Sequence, residues 1–284
     1  MVHTPRRLAR AALVGIVTVA SSSVLLAHDT WLLPDLFAVA QGRPVELSAR
    51  AGGGKFPDGS AVPLDRVASV RVIGATSDNV ATDVVASAGA LRITAKPTSD
   101  GQYLVVLATK PSTLANTSAG FLKFLAAEGA SAEARRLSET SLTRDADSVI
   151  FEHGVLASTV AEIGTGGPRA FSRAGILPLG IVPLVDPASL RVGDTLRVRL
   201  TADGRPVPRM GVDVKTALDT TVRGTGEYTS MIADSAGVVA IPVSRAGAWM
   251  LRTAWVAPTQ AAGSRMVRTR VWRATFVWSV RPRR

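Results

Sequence analysis

The sequence predicts an all-β fold, made of two Ig-like β-sandwich modules with a short helical insertion. The first observation is a series of short segments in which apolar and polar residues alternate, such as ASVRVIG and GVDVKTAL. The second is the turn chemistry between them, since KFPDGS, ADGRPVP and ADSAG bring together the Asp, Gly and Pro that tight turns favour. The third is a spacing that recurs in both halves of the chain. Short strands broken by turns in this way are typical of sandwiches rather than βαβ units.

Residues 1–27 have the layout of a secretory signal peptide. Three arginines form a cationic start, AALVGIVTVASSSVLL is the apolar core, and Ala27 precedes the expected cleavage site. Cleavage after Ser23 and retention as an N-terminal membrane anchor are the alternatives. We therefore expect a periplasmic or secreted protein. Its mature form would begin at His28, with 257 residues (284 minus 27) and a net charge of +8 (+11 minus three arginines).

The recurring spacing indicates an internal duplication. Gly42 and Gly193 are each followed, at plus three, five and seven, by apolar residues on one face of a strand: Val45, Leu47 and Ala49 in the first half, Leu196, Val198 and Leu200 in the second. A second pair lies further on in each half. Tyr103, Val105 and Leu107 follow Gly101, and Trp249, Leu251 and Thr253 follow Gly247. Each half is thus predicted to be one β module that opens and closes alike.

One segment, AGFLKFLAAEGASAEARRLSE, predicts the helical insertion, near residues 119–139. Phe121, Phe124 and Leu125 stand at i, i+3 and i+4 and would share one face, and Gly129 would end or kink the helix. GTGGPR is the most linker-like stretch of the chain. We therefore predict an N-terminal module over 28–163, a linker over 164–175 and a C-terminal Ig-like sandwich over 176–284.

Composition and motifs argue against an enzyme and against nucleic acid. The absence of cysteine excludes disulfides, thiolate metal sites and cysteine nucleophiles. AGGGKF resembles a phosphate-binding loop, but Phe56 replaces the required Ser or Thr, and neither G-x-S-x-G nor H-E-x-x-H occurs. The chain has a surplus of basic residues, and these are mostly arginine, with 28 Arg and 5 Lys. In an exported protein it favours anionic glycans, lipid headgroups or acidic proteins over nucleic acid, and the RPRR tail could touch an anionic envelope surface.

The sharpest candidate site is the predicted mature N-terminus. A free His28 would offer an α-amine and an imidazole to one metal ion, and copper and nickel favour such nitrogen ligands. Further ligands would come from Asp29, Glu152 or His153, the other histidine of the mature chain. Glu152 and His153 are neighbours on a predicted strand and should point to opposite faces, unless Gly154 marks a bulge. The alternative interpretation is structural, with His28 starting the first strand and Trp31 and Leu33 packing into the core.

Four stretches resemble the domain-of-unknown-function family 4198: HDTWLLPD, KFLAAEGASAEARR, LPLGIVPLVDPASLRVGDTLRVRLTADGRPVP and DSAGVVAIPVSRAGAWMLRTAW. That family is often labelled as a periplasmic component of cobalt or nickel uptake, so the resemblance implies an exported, Ig-like protein that handles a transition metal. Members often carry a histidine where this chain has Trp255, and a Tyr/Arg/Lys-rich segment where it reads SVIFEHGVLAS.

Taken together, the residues and the resemblance predict a non-enzymatic envelope protein that binds nickel, cobalt or copper through His28, Asp29 and His153. It would act as an accessory to uptake or homeostasis, with an envelope transport component as its partner. The alternative from another class is a structural or interaction sandwich that binds a partner protein or glycan without metal. A copper oxidase of polysaccharide built on an N-terminal histidine is a weaker third hypothesis, because a second well-placed histidine is not evident.

Overall fold

A computed structural model describes residues 29–52, 56–76, 82–87, 89–140, 147–217, 228–257 and 266–283. Most of these residues lie in strands. Ten strands and two helices belong to the first half: β1 (Asp29–Pro34), β2 (Ala38–Val39), β3 (Val45–Gly52), β4 (Ser60–Ala61), β5 (Val67–Ile73), β6 (Thr82–Ser87), β7 (Ala90–Ala95), β8 (Gly101–Thr109), β9 (Ser112–Thr117), α1 (Ser118–Ala127), α2 (Ser131–Ser138) and β10 (Ser148–Ile163). Among the described residues, no helix is long and apolar enough to cross a membrane.

The second half continues with eight strands: β11 (Leu179–Pro183), β12 (Thr195–Ala202), β13 (Arg205–Pro206), β14 (Gly211–Thr216), β15 (Thr229–Ile232), β16 (Val238–Pro242), β17 (Gly247–Val256) and β18 (Met266–Val280). Short 3-10 turns connect some of the strands: Leu64–Arg66, Phe171–Ile176 and Pro187–Ser189.

The strands form three sheets. The N sheet has the order β1-β3-β7-β6, with β4 beside β3. The central sheet has the order β15-β14-β17-β18-β10-β8-β5, with β2 and β9 also paired to β10. The C sheet contains β11, β12, β13 and β16, with β12 paired to the other three.

The two halves have the same connectivity. In the first, β3 pairs with β1 and β7, while β5, β8 and β10 follow one another in the central sheet. In the second, β12 pairs with β11 and β16, while β14, β17 and β18 follow one another. The shared connectivity occurs together with the recurring glycine spacing that the sequence shows in both halves. Gly42 and Gly193 both have positive φ, and the three predicted positions after each are buried.

The last strands of the halves, β10 and β18, run parallel and join the halves into one sheet. The outer sheets cover opposite faces of that sheet. On β8, Tyr103, Val105 and Leu107 pack in the core of the N sheet, whereas Leu104 and Val106 pack in the core of the C sheet. Successive side chains of a strand point to opposite faces, so β8 serves both cores. The prediction of an all-β fold with two sandwich modules is confirmed.

The helical insertion covers the part of the central sheet that the N sheet leaves open. The Thr117 hydroxyl caps α1 by accepting from the Gly120 amide at 3.1 Å. Phe121 and Leu125 are fully buried, as predicted, and the rings of Phe121 and Phe124 lie 4.9 and 5.0 Å from that of Phe151 on β10. Residues 164–175 include a buried alanine, Ala170, and the start of a 3-10 turn. The domain boundary placed there stays a prediction.

Candidate functional site

Five charged side chains meet inside the protein, on the face of the central sheet that the helical insertion covers. Asp213, Arg252 and Arg273 stand on the neighbouring strands β14, β17 and β18, and their alternation with apolar residues points all three toward this face. The start of β1 and the end of α1 close over them and add two carboxylates. We call this set the buried ionic cluster: Asp29, Glu128, Asp213, Arg252 and Arg273.

Asp29 lies at the centre of the cluster and is 2% exposed. Arg252 donates from Nη1 to both carboxylate oxygens, at 3.2 and 3.0 Å, and Arg273 donates from Nη2 to Oδ1 at 3.2 Å. The Tyr228 hydroxyl donates to Oδ2. Burial, together with the Asp29 carboxylate, raises the pKa of Tyr228, so this hydroxyl stays protonated as a donor. Both oxygens of Asp29 are therefore engaged by protein groups.

Arg252 connects Asp29 to Asp213. Its Nε and Nη2 donate to Oδ2 of Asp213 at 3.1 and 2.8 Å, and Ser230 donates to the other oxygen at 2.6 Å. The guanidinium carbon lies 3.8 Å from the centroid of the Tyr228 ring, in a cation–π contact. Burial alone would lower the pKa of Arg252, but the two carboxylates outweigh it and raise that pKa. Arg252 is thus a permanent cation held on three sides.

Glu128 and Arg273 form a second deeply buried ion pair. Both side chains are almost fully buried, and their charged ends are in contact. Burial raises the pKa of Glu128 to about 7, with Asp29 adding to the shift, while Arg273 and Arg252 oppose it. Lys215 completes the surroundings, with its ammonium 5.0 Å from the centroid of the Tyr228 ring. Burial lowers the pKa of Lys215, and Arg252 adds to this.

The cluster is electrically balanced and joins distant parts of the chain. Its three carboxylates face Arg252, Arg273 and the nearby Lys215, so the formal charges sum to zero when all are ionised. Groups from β1, α1, β14, β17 and β18 take part. A buried charge costs several kcal/mol unless it is paired and hydrogen-bonded, so these elements hold one another in place. Chemically, the arrangement fastens the first strand and the helical insertion to the second sandwich.

The three predicted metal ligands have different outcomes. His28 lies outside the described residues. Asp29 is held as above, and His153 on β10 is 2% exposed, with its ring edge-to-face on Phe124 at 5.6 Å. Burial, together with the charges of Arg273 and Arg66, lowers the pKa of His153 to about 3. Among the described residues, no group of three or more His, Asp or Glu side chains could hold a metal ion. Two guanidiniums lie beside Asp29, and the charges of two arginines act on His153, so these two residues do not fit a cation site.

Two smaller expectations are confirmed. Glu152 and His153 point to opposite faces of β10, since Glu152 is exposed in an ion pair with Arg270 while His153 is buried. Trp31 is fully buried, with its ring 5.8 Å from that of Phe56.

Most of the cluster escaped sequence reasoning. The remaining residues belong to no sequence motif, and their neighbours in the chain give no sign of a shared site: Glu128, Asp213, Tyr228, Arg252 and Arg273. A usable signal did exist, because LRTAW and VWRATF each place an arginine at a position whose alternation points to a buried face. A charge at an inward position of a strand predicts a partner, although it does not say which residue the partner is.

One larger cleft opens at the side of the second sandwich, between β15 and β16, with about 1050 Å³ of open space. Met231, Ile241 and Trp249 form its apolar part. Its ionisable lining residues are Lys215 and Arg245, both cationic.

The comparisons with known proteins place the sequence but not its activity. Residues 25–257 match the family model described as a domain of unknown function, DUF4198. No curated protein matches. Similar solved structures include the D0-D1 domain of intimin (11% identity over 86% of this chain and 96% of that chain, TM-score 0.21). A variant of Salmonella alpha-2-macroglobulin shares 10% identity over 88% of this chain and 15% of its own, with a TM-score of 0.25. The Yersinia pseudotuberculosis adhesin InvE shares 13% over 88% and 58%, with a TM-score of 0.20. This chain spans less than two thirds of the length of the last two, and at these TM-scores the likenesses carry no functional argument.

Proposed function

Since this chain belongs to the DUF4198 family, whose domain has no assigned function, we propose from its own geometry that it is an exported, non-enzymatic binding module of the cell envelope. The observation that supports this most is the closure of the buried ionic cluster. Its carboxylates and guanidiniums form ion pairs with one another beneath β1 and the helices, so they act as structure rather than as reagents. We therefore assign partner binding to residues at the protein surface.

The charge of that surface favours an anionic partner. The chain carries 33 basic and 22 acidic residues, and arginine dominates the basic set. Arg197 and Arg199 illustrate the pattern, because they lie two positions apart on β12 and are both exposed on the outer face of the C sheet. Planar guanidiniums pair well with carboxylate and phosphate groups. Acidic glycans and lipid headgroups present such groups in an envelope.

Binding of nickel, cobalt or copper is the second candidate, and one observation favours it. Asp29 is the first described residue of β1, and Arg252 and Arg273 hold it firmly in place. A mature His28 would directly precede this anchored residue, and its α-amine and imidazole would be the metal-binding pair. Asp29 itself would support the position of His28 rather than coordinate the metal.

The experiment first determines the mature N-terminus by intact mass. The mature protein is then sedimented with washed envelope fragments at low and high salt, and titrated with Ni²⁺ and Cu²⁺ beside a form with one extra residue before His28. We expect saturable binding to the fragments that weakens as salt rises. Absence of such binding would overturn the leading proposal. Stoichiometric metal binding that the extra residue abolishes would establish the second candidate, and equal binding by both forms would reject it.

A further inference from the structure

Two tryptophans lie side by side on the face of the central sheet opposite the buried ionic cluster. Trp255 on β17 and Trp272 on β18 are direct cross-strand partners, so their side chains leave the sheet on the same face. Both are only partly buried, at the rim of the core beneath the C sheet. A large aromatic side chain that stays partly exposed to solvent is a common feature of binding surfaces.

The next strand, β10, extends this aromatic surface because it has a glycine at the matching position. Gly154 is the cross-strand partner of Trp272. A Cβ on Gly154 would lie 2.5, 2.8 and 3.2 Å from three atoms of the six-membered ring of Trp272. The indole therefore covers the backbone of β10, which any side chain at this position would prevent. Since neighbouring strands lie about 4.8 Å apart, the row from Gly154 to Trp255 crosses two such gaps, or roughly 10 Å.

A polar row lies beside the aromatic one. Arg270 and Glu152 are partners on β18 and β10, and Arg270 Nε and Nη2 both lie 2.9 Å from a Glu152 oxygen. Their side chains are 56% and 51% exposed. Arg268 follows two residues away on the same face of β18 and is also exposed. Two arginines and one glutamate leave this row with a net positive charge.

We propose that this tryptophan row, formed by Gly154, Trp255 and Trp272 with the polar side chains of Glu152, Arg268 and Arg270, binds an acidic polysaccharide. The C–H face of a pyranose ring packs well on an indole, and successive sugar rings can lie along an aromatic row. Carboxylates of the glycan would pair with the two arginines, and Glu152 would accept from sugar hydroxyls.

The chemistry of the surface favours this occupant over others. A sheet face with a row of partly exposed indoles suits an extended chain of rings better than a compact ligand, which needs a concave site. Single-stranded nucleic acid also stacks on aromatics. The Glu152 carboxylate repels the anionic groups of either ligand, but it can accept from the free hydroxyls of a pyranose, which the internal sugars of single-stranded DNA lack. This inference rests on the proposed binding function and names its ligand class and site.

The test measures binding of polygalacturonate to the mature protein by calorimetry, with neutral galactan and single-stranded DNA as comparison ligands. Trp255→Ala removes half of the aromatic row, and Trp255→Phe retains a ring. Arg268→Glu/Arg270→Glu reverses the charge of the polar row. The matched control is Lys123→Glu/Arg135→Glu, which changes the charge equally at exposed positions of α1 and α2, on the other side of the central sheet.

We expect polygalacturonate to bind more tightly than the galactan or the DNA. Trp255→Ala and the Arg268/Arg270 variant should each weaken it by about tenfold or more, while Trp255→Phe and the helix control stay within about twofold of the original protein. Equal binding by Trp255→Ala, an equal loss in the helix control, or tighter binding of DNA would overturn the inference. If the protein binds envelope fragments but substitutions in the tryptophan row do not weaken polygalacturonate binding, the proposed site is wrong and the proposed general function is retained. If Trp255→Ala does not fold, Arg268→Gln/Arg270→Gln decides the same question.

Discussion

Replacing Arg273 with Met tests whether the buried ionic cluster holds the two modules together. Arg273 is 4% exposed at its side chain and faces Asp29 and Glu128, each 2% exposed. Methionine keeps most of the volume but leaves two buried carboxylates to share Arg252. Breaking a buried ion pair in this way costs about 3–5 kcal/mol. We therefore expect the free energy of unfolding to fall by that amount at pH 8, where Glu128 is largely ionised.

The control uses the same strand and the same exchange. Arg270→Met breaks the pair with Glu152, but both side chains are more than half exposed, so the loss should stay below about 1 kcal/mol. Urea unfolding, followed by tryptophan fluorescence, measures both variants. The defect of Arg273→Met should shrink at pH 5.5, because Glu128, with a pKa near 7, is then protonated and leaves one charge fewer unpaired. Adding Glu128→Gln should recover part of the loss at pH 8. Equal losses for the two arginine variants, or a defect independent of pH, would refute this account.

Three further predictions concern titration, packing and metal removal. The pKa of His153 lies near 3 in the folded protein, below its ordinary value of 6.5, so its contribution is complete above pH 6.5 and is lost as the pH falls toward 3. The free energy of unfolding of the original protein, relative to that of His153→Leu, should thus fall by several kcal/mol between pH 7 and 4 in urea titrations, and a constant difference would contradict this. Gly154→Ala would drive a methyl group into the Trp272 ring and should cost about 1–3 kcal/mol in thermal unfolding. Gly175→Ala, whose Cβ would meet its nearest atom at 3.6 Å, should be nearly neutral, and similar losses in both would rule out the packing argument. Dialysis against EDTA should leave the Tm unchanged, because protein groups balance the cluster; a fall of more than about 3 °C would show a structural metal.

Local patterns predicted the strands well. The apolar positions after Gly42 and Gly193 are buried, and Glu152 and His153 point to opposite faces as their adjacency requires. Each of these results depends only on the two-residue period of a strand, which can be recognised from residues that are close together in the sequence. The helical insertion could be predicted equally well, since the spacing of its apolar residues is also a local pattern.

The candidate site was much harder to predict from the sequence. Asp29 was selected for its closeness to His28, yet its partners Arg252 and Arg273 lie 223 and 244 residues further along the chain. His153 was selected because histidine is rare, and it proved to be a buried ring beside Phe124. Scarcity and nearness in sequence say little about which charges meet in space. Pairing of strands decides that, and pairing is not a local property.

The sequence by itself therefore determined that the protein is built of β modules, where the strands alternate and where a helical piece interrupts them. Only the tertiary structure decided that β10 and β18 run side by side in parallel and join the halves into one sheet. That single pairing brings Arg273 toward Asp29 and Glu128 on one face, and Trp272 over Gly154 on the other. The physical reason is that alternation arises between neighbours in the chain, whereas register is fixed by cores and charges that form only when distant strands meet.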